Sequence, residues 1–288
     1  MLSAKQYRLA ISREMSHERM NCARVFPMKK NRSHDVPHFP LGLFALLILI
    51  VCTISRCMAQ QNLFNIPSGD ITPKGKFFYQ HQLNFYSTND FESKSHLVYG
   101  LGKSWDVGIN LVDVPIRLVD DRRMIGFNDY KGRKPLYPLL MVTVQKQVVI
   151  NPHWAINIGT QVGPNLTSRL ENKTVAHFTY ATARWHPFQD GYLIAGPYYS
   201  NRVFTGGRQH TVGFMFGYEI PIGRKISLMG DFISGTHKKS NSTFGAVIDV
   251  GKRTQLCVAA LLPYPNQNLP GGLVLELNIF GWDFQQHL

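Results

Sequence analysis

From Phe77 the chain reads FFYQHQLNFY. Phe77, Tyr79, Leu83 and Phe85 fall on one parity, and Phe78, Gln80, Gln82 and Asn84 on the other. Neighbouring side chains of a strand point to opposite faces, so period two sustained over about ten residues specifies a strand with two unlike faces. The pattern recurs to the end of the chain. Trp154, Ile156, Ile158 and Val162 oppose Ala155, Asn157, Gly159 and Gln161; Leu273, Leu275, Leu277 and Ile279 oppose Val274, Glu276, Asn278 and Phe280. No convincing amphipathic helix competes with it. One face is continuously apolar, while the other mixes glycine, amides, hydroxyls and carboxylates.

The alternation predicts twelve strands, at 74–86, 94–101, 106–114, 139–150, 154–163, 173–185, 192–200, 210–220, 225–234, 242–250, 254–262 and 271–282. Every second connection is tight (102–105, 151–153, 186–191, 221–224, 251–253), and the others are longer. An even number of antiparallel strands with short turns at one end and long loops at the other is the pattern of an all-β, transmembrane, antiparallel up-and-down β-barrel, its tight turns periplasmic. A soluble sandwich also alternates, but its strands usually run about 5–6 residues. Segments of about ten suit a tilted strand crossing ~30 Å of hydrocarbon. Glycines on the polar parity (Gly159, Gly163, Gly213, Gly217, Gly245) make room in a narrow lumen, and Trp105, Trp154, Trp185, Tyr192 and Trp282 suit interfacial girdles. Two residues break the pattern: His81 sits on an apolar face, and Lys146 shares the parity of Val142 and Val144. A bulge, a snorkelling side chain or an overextended boundary accounts for such breaks.

Upstream, Leu41–Val51 is an unbroken apolar run, too short for the roughly 20 residues of a spanning helix. Lys29, Lys30 and Arg32 precede it and Cys57-Met58-Ala59 follows, which together read as a secretory signal cleaved after Ala59. Met28 begins a leader of normal proportions, so residues 1–59 are expected to be an N-terminal extension plus signal peptide with the true start at Met28. Nine basic and three acidic residues leave with it, and the formal charge of +13 falls to +7. Of the four cysteines only Cys257 remains, which excludes an internal disulfide.

The hairpin YGLGKSWDVGINL (Tyr99–Leu111) and the stretch MGDFISGTHKKSNSTFGAVIDV (Met229–Val250) resemble those of the porin-like outer-membrane family associated with phenol-degradation operons. The resemblance implies a Gram-negative outer-membrane barrel over the whole mature chain, inserted by the outer-membrane assembly machinery, and it implies fold and location rather than substrate. Phe280 or Trp282 is the candidate terminal aromatic of an assembly signal, although the chain continues six residues past Trp282.

Gly102-Lys103-Ser104 ends like a phosphate-binding loop, but the motif needs a first glycine at position 97, which is Leu97, and a following helix, where a strand alternates instead. No nucleotide site is expected. Outer-membrane hydrolases acting on lipid or lipopolysaccharide use Ser–His pairs. The candidates here are His81, His96, His177, His210 and His237 with Ser93, Ser95, Ser200, Ser234 and Ser240. No hydrolase motif frames them. Nor is there an HExxH or a Cys/His pair at ligand spacing, so neither metal nor other cofactor is expected.

The inward parity carries Gln80, Gln82, Asn84, Asn110, Asn157, Gln161, Lys173, Glu219, Asp231, Asp249 and Glu276. These residues either satisfy one another or line a water path for a small solute. The long loop Pro115–Pro138 holds Arg117, Arg122, Arg123, Lys131, Arg133 and Lys134 among Asp113, Asp120, Asp121 and Asp129. At the outer surface it contacts lipopolysaccharide phosphates, folds into the pore as a constriction, or pairs with itself; a nucleic-acid partner is not expected. The sequence thus leads to a cleaved leader, a short periplasmic segment at 60–73, a barrel at 74–282 and a tail at 283–288. Its expected work is porin-like passage of small solutes, with an outer-membrane hydrolase and a closed structural barrel as alternatives.

Overall fold

A computed structural model of the chain describes residues 62–284, apart from position 89 and residues 118–137, 168–170, 172, 189–190, 207–210 and 265–270. The expected leader and its start at Met28 lie outside the described residues. Twelve strands follow in order: β1 (Phe77–Phe85), β2 (Asp90–Gly102), β3 (Trp105–Arg117), β4 (Leu139–Asn151), β5 (Trp154–Pro164), β6 (Val175–Phe188), β7 (Gly191–Ser200), β8 (Thr211–Pro221), β9 (Ile226–Ile233), β10 (Asn241–Gly251), β11 (Thr254–Pro263) and β12 (Gly272–Phe280). Each strand pairs antiparallel with its sequence neighbours, and β1 pairs with β12 to close the barrel. One helical turn, α1 (Arg202–Thr205), follows β7; Asn201 caps its start and Gly206 its end, with φ 71°.

The Gly-Lys-Ser stretch is the tip of the β2–β3 hairpin. Gly102 faces Trp105 across the ladder, and Lys103 and Ser104 between them have φ of 53° and 60°. Positive φ at both central residues is the primed turn whose twist matches that of the strands it joins. No phosphate cradle forms there.

The wall obeys the alternation. Ile109, Ile158, Phe214, Phe244, Val258 and Leu273 are 41–54% exposed, while Asn110, Asn157, Met215, Thr243, Cys257 and Val274 beside them are buried inside. In water this continuous apolar band would far exceed the few hundred Å² that soluble proteins tolerate. In a bilayer it is the solvated face, and closure leaves no unpaired strand edge. Trp154 and Trp185 stack at 5.8 Å beside the tight turns, as an interfacial girdle does. The odd Lys146 lies on this outer face but reaches the same rim: its ammonium sits 5.3 Å from the Trp105 ring centre and bonds the Lys103 carbonyl. It snorkels.

Two expectations are corrected. The segment expected in the periplasm, 60–73, instead runs inside the barrel over its described residues 62–73, where Leu63 and Ile66 are fully buried and Phe64 nearly so. Its apolar side chains drive this, because they find partners among Tyr180, Tyr192, Ile194, Met215 and Met229 of the inner wall. At the C-terminal end, Trp282, expected in the interfacial girdle, turns inward, beside Phe280, which faces inward as its parity predicts. With Phe78, Val98 and Phe284 they form an aromatic cluster at the turn-side mouth, so the described part of the tail packs against the barrel.

Candidate functional site: the barrel lumen

The N-terminal segment divides the lumen into two halves. It leaves the turn-side rim at Pro73, where Gly100 permits backbone contact: a Cβ on Gly100 would lie 2.2 Å from the Pro73 carbonyl oxygen. Thr72 donates its N–H to Asp106 (3.1 Å). Asp70 forms an ion pair with Arg184, whose guanidinium also lies 4.4 Å from the Tyr192 ring centre. Gln145 and Gln147 donate to the Asp70 and Gly69 carbonyls at 2.8 and 2.7 Å. Higher up, Leu63 N–H donates to the Ile66 carbonyl (2.9 Å), making a tight turn seated against Gly217. The backbone N–H groups of Asn65 and Ile66 both donate to the Asp231 carboxylate. The Asn65 amide donates to Thr243 (2.7 Å) and accepts from the Lys94 ammonium (3.1 Å). Apart from the Leu63–Ile66 pair, each polar group of the segment named above meets a wall residue of the opposite hydrogen-bonding sense, as groups removed from water require.

Above this floor lies a cavity of about 130 Å³ on the loop side. Its wall includes Gln80, Gln82, Asn84, Asn110 and Gln161 from the strands, and Asn62 and Asn65 from the floor. Asn110 donates to Gln161 (3.0 Å), and Asn62 donates to Gln80 and to His96 Nδ1, both at 2.8 Å. Since His96 Nδ1 accepts, its Nε2 carries the proton, and that donor meets no partner.

The mouth is narrowed by α1 and by residues 234–240 between β9 and β10. Gly235, at φ 123°, lets this loop turn in, because a Cβ there would lie 2.8 Å from His237 and Ser240. His237 contacts the Tyr198 hydroxyl through Nε2 at 2.6 Å, and its Nδ1 accepts from the Lys239 N–H at 3.2 Å. Burial pulls His237 down to about 4. Lys239 pairs with Asp113, and its ammonium lies 5.6 Å from the Phe204 ring centre. Burial pulls its ammonium down to about 7. The Glu92 carboxylate opposes this by favouring the charged form, and the Lys94 ammonium adds to the lowering. Asp113 is itself a product of a bulge. The β2–β3 register shifts between Ser93 and Ser95, and Asp113 adopts φ 58°, so its side chain turns inward to full burial.

Of the residues expected on the inward parity, Gln80, Gln82, Asn84, Asn110, Asn157, Glu219, Asp231, Asp249 and Glu276 are buried inside, and Gln161 is partly so. The first four and Gln161 face the cavity. Gln255 donates to Asp249, and Asn278 to Glu276, both at 3.0 Å. Lys173 is corrected: it precedes β6, is exposed and does not face the lumen. Arg117 ends β3, but its side chain, together with Arg122, Arg123, Lys131, Arg133 and Lys134, lies outside the described residues. The mouth residues that sequence reasoning missed, Lys238 and Lys239, follow the candidate His237 in the short run GTHKKS; two adjacent lysines close after a glycine were the available signal.

The Ser–His candidates separate. His210 is outside the described residues, His96 bonds the floor, and His177 faces outward beside Thr179 (2.8 Å). His81 meets a serine hydroxyl through its ring, with Ser95 2.9 Å from Nδ1 and the Tyr79 hydroxyl 3.4 Å from the same atom. Both groups stand on the outer wall, opposite one another in the β1–β2 ladder. Backbone amides there are engaged in strand pairing, so no oxyanion donors converge on the serine. The contact lets two polar groups satisfy each other against hydrocarbon. Among the described residues no group of three His, Cys, Asp or Glu side chains is placed to hold a metal ion.

A closed, lipid-faced β-barrel with tight turns at one rim is the outer-membrane architecture. The chain has the architecture of an outer-membrane β-barrel. No protein-family model matches it, and no curated protein does. Among solved structures it is similar to the NanC porin (9% identity, TM-score 0.48, covering 72% of this chain and 99% of that one). It is also similar to the toluene transporter TbuX of Ralstonia pickettii (8%, TM-score 0.38, 72% and 89%) and to the outer-membrane channel DcaP of Acinetobacter baumannii (9%, TM-score 0.30, 71% of each). Likeness at this level accompanies the fold and adds nothing to the reading of the lumen, which rests on this barrel's own geometry.

Proposed function

We propose that the protein is an outer-membrane channel for small polar solutes, held closed by its own N-terminal segment. The observation that carries the proposal is the divided lumen: an amide-lined cavity on the loop side ends on residues 62–67, which block the way to the turn side. In this reading the amides replace part of a solute's hydration, and passage requires the segment to move aside. Burying Leu63, Phe64 and Ile66 stabilises the closed form by about 2 kcal/mol each. At about 1.4 kcal/mol per tenfold, this alone leaves an open population of order one in ten thousand.

The test locks the segment in place. In a Cys257→Ser background, Asn65→Cys and Thr243→Cys put a disulfide where the two side chains now meet. In planar bilayers the oxidised protein is expected to be silent. Reduction, or deletion of residues 62–72 in a barrel that still shows folded heat-modifiable mobility, is expected to give channel events. A folded deletion variant without conductance would remove the channel reading and favour the closed structural barrel.

A further inference from the structure

The charges around the cavity answer one another. Glu92 faces the ammonium groups of Lys94, Lys238 and Lys239 across the same hollow; Lys239 also pairs with Asp113, and Lys94 donates to the Asn65 amide oxygen. An anion drawn to the lysines meets Glu92, and a cation drawn to Glu92 meets three ammonium groups. Like charge brought this close is strongly disfavoured, and a neutral solute meets neither penalty. The groups left unmet are themselves neutral and of both senses. His96 on β2 and Asn110 on β3 stand directly opposite one another in the ladder, and both line the hollow. Among the described residues His96 Nε2–H meets no acceptor. The oxygen of Asn110, a residue only 6% exposed, meets no donor, because its amide nitrogen is turned to Gln161. Directly opposed side chains start about 5 Å apart at Cβ, a gap that one hydroxyl bridges by accepting from one and donating to the other. On β6, β7 and α1 the lining is aromatic: Phe178 stacks on Phe204 at 4.9 Å and meets Tyr198 at 5.6 Å, which offers a surface to C–H groups. A hollow of roughly 150 Å³ takes a benzene-sized molecule, so about 130 Å³ admits glycerol or erythritol and little larger.

We infer that this vestibule is a binding site for a small neutral polyol, a hydroxyl bridging His96 and Asn110 and the carbon face laid against Phe178 and Phe204. The inference deepens the channel reading by naming its solute class, and rests on it only for the route by which the solute arrives; binding does not require conduction. Further hydroxyls meet the strand carboxamides beside the pair, which donate and accept alike. Glu92 sets the specificity: by facing the lysines it keeps the hollow from taking an anion of the same size.

The test is a saturation-transfer NMR titration of the purified full-length barrel in zwitterionic micelles. The probes are glycerol and erythritol, the size-matched anion glycerate, the cation 3-amino-1,2-propanediol, and 1-propanol, which keeps the carbon body with one hydroxyl. Glycerol or erythritol is expected to bind at least tenfold more tightly than the anion, the cation and propanol. His96→Phe and Asn110→Leu are each expected to weaken it on the order of tenfold, and His96→Gln, which keeps an N–H donor, to retain most of the affinity. Glu92→Gln is expected to raise the affinity for glycerate at least tenfold and to leave that for glycerol in place. Folding of each variant is checked by heat-modifiable mobility. Glycerate or the amine binding as tightly as both polyols, propanol binding equally well, or a folded His96→Phe/Asn110→Leu double variant with unchanged affinity would each overturn the inference. So would the absence of saturable binding, which would mean that a bridging water only joins His96 and Asn110. The two readings fail separately. A full-length barrel that binds glycerol while the segment-deleted one stays silent defeats only the channel, and a deleted barrel that conducts while the full-length one binds no polyol defeats only this site.

Discussion

The two halves of the lumen are built from the same strands and solve opposite problems. On the turn side, the N-terminal segment and the Phe78–Phe280–Trp282–Phe284 cluster fill the space, and Arg184 is paired with Asp70. On the loop side amides pair around a cavity, Asn110 with Gln161 and Asn62 with Gln80, and one imidazole donor is left unmet. A filled interior is held by packing, and each of its groups is costly to disturb. A hollow interior holds its polar groups ready for something else. The difference places stability in the turn-side half and recognition in the loop-side half.

The sharpest way to break that division is at Asp70. Asp70→Ala leaves the Arg184 guanidinium buried beside Tyr192 without its carboxylate, and breaking one side of a buried pair costs about 3–5 kcal/mol. The variant is expected to show the largest fall in thermal midpoint of any lumen substitution and more frequent channel openings. Lys94→Gln, on the hollow side, is expected to leave the midpoint nearly unchanged. Equal falls in the two would mean that the halves do not differ in this way.

A smaller effect is expected at Gly217, against which the tip of the segment sits. A Cβ there would lie 2.2 Å from Leu63 and 2.8 Å from Ile66. Gly217→Val overfills the packed half and should cost about 1–3 kcal/mol. Adding Leu63→Ala makes room, so the double variant should recover part of the loss in a thermal melt. Strictly additive losses would show that residue 217 and Leu63 do not share the space.

The contrast also explains what the sequence made legible. Lipid imposes an apolar residue at every second position, so the wall could be read from parity, down to Lys146 as an exception that reaches the interface. The inward set followed from the same parity, except for Lys173, which the strand does not reach, and where the Asp113 bulge switches it, because one extra residue leaves no mark on composition. The filling did not follow. The stretch QNLFNIPSGDITPKG has no period, since a chain threaded through a lumen is held by unlike neighbours at each position. Leu63, Phe64 and Ile66 were the hint, being three large apolar residues in a segment assigned to water. The mouth was sought in the long basic loop, while the described residues that fold inward belong to a loop of seven.

The mildest test concerns that loop and its pH dependence. His237 is held neutral, because its Nδ1 must stay unprotonated to accept the Lys239 N–H and its surroundings are largely dry. Tyr198, Ser234, Ser240, Lys238 and Lys239 surround it, and none is a carboxylate that would favour the imidazolium. Its docked pKa of about 4 lies below the ordinary value of 6.5. The undocked loop therefore binds more protons in that interval, and docking weakens as pH falls from about 6.5 toward 4. Above 6.5 the contribution is fully present. Hydrogen exchange at the Lys239 amide, corrected for the intrinsic rate, is expected to lose protection between pH 7 and pH 5. The loss should vanish in His237→Gln, which keeps polar character without titrating. Protection that is flat with pH in the unmodified protein would mean the loop is held by Lys239–Asp113 and the backbone alone, and the mouth would then be as fixed as the floor.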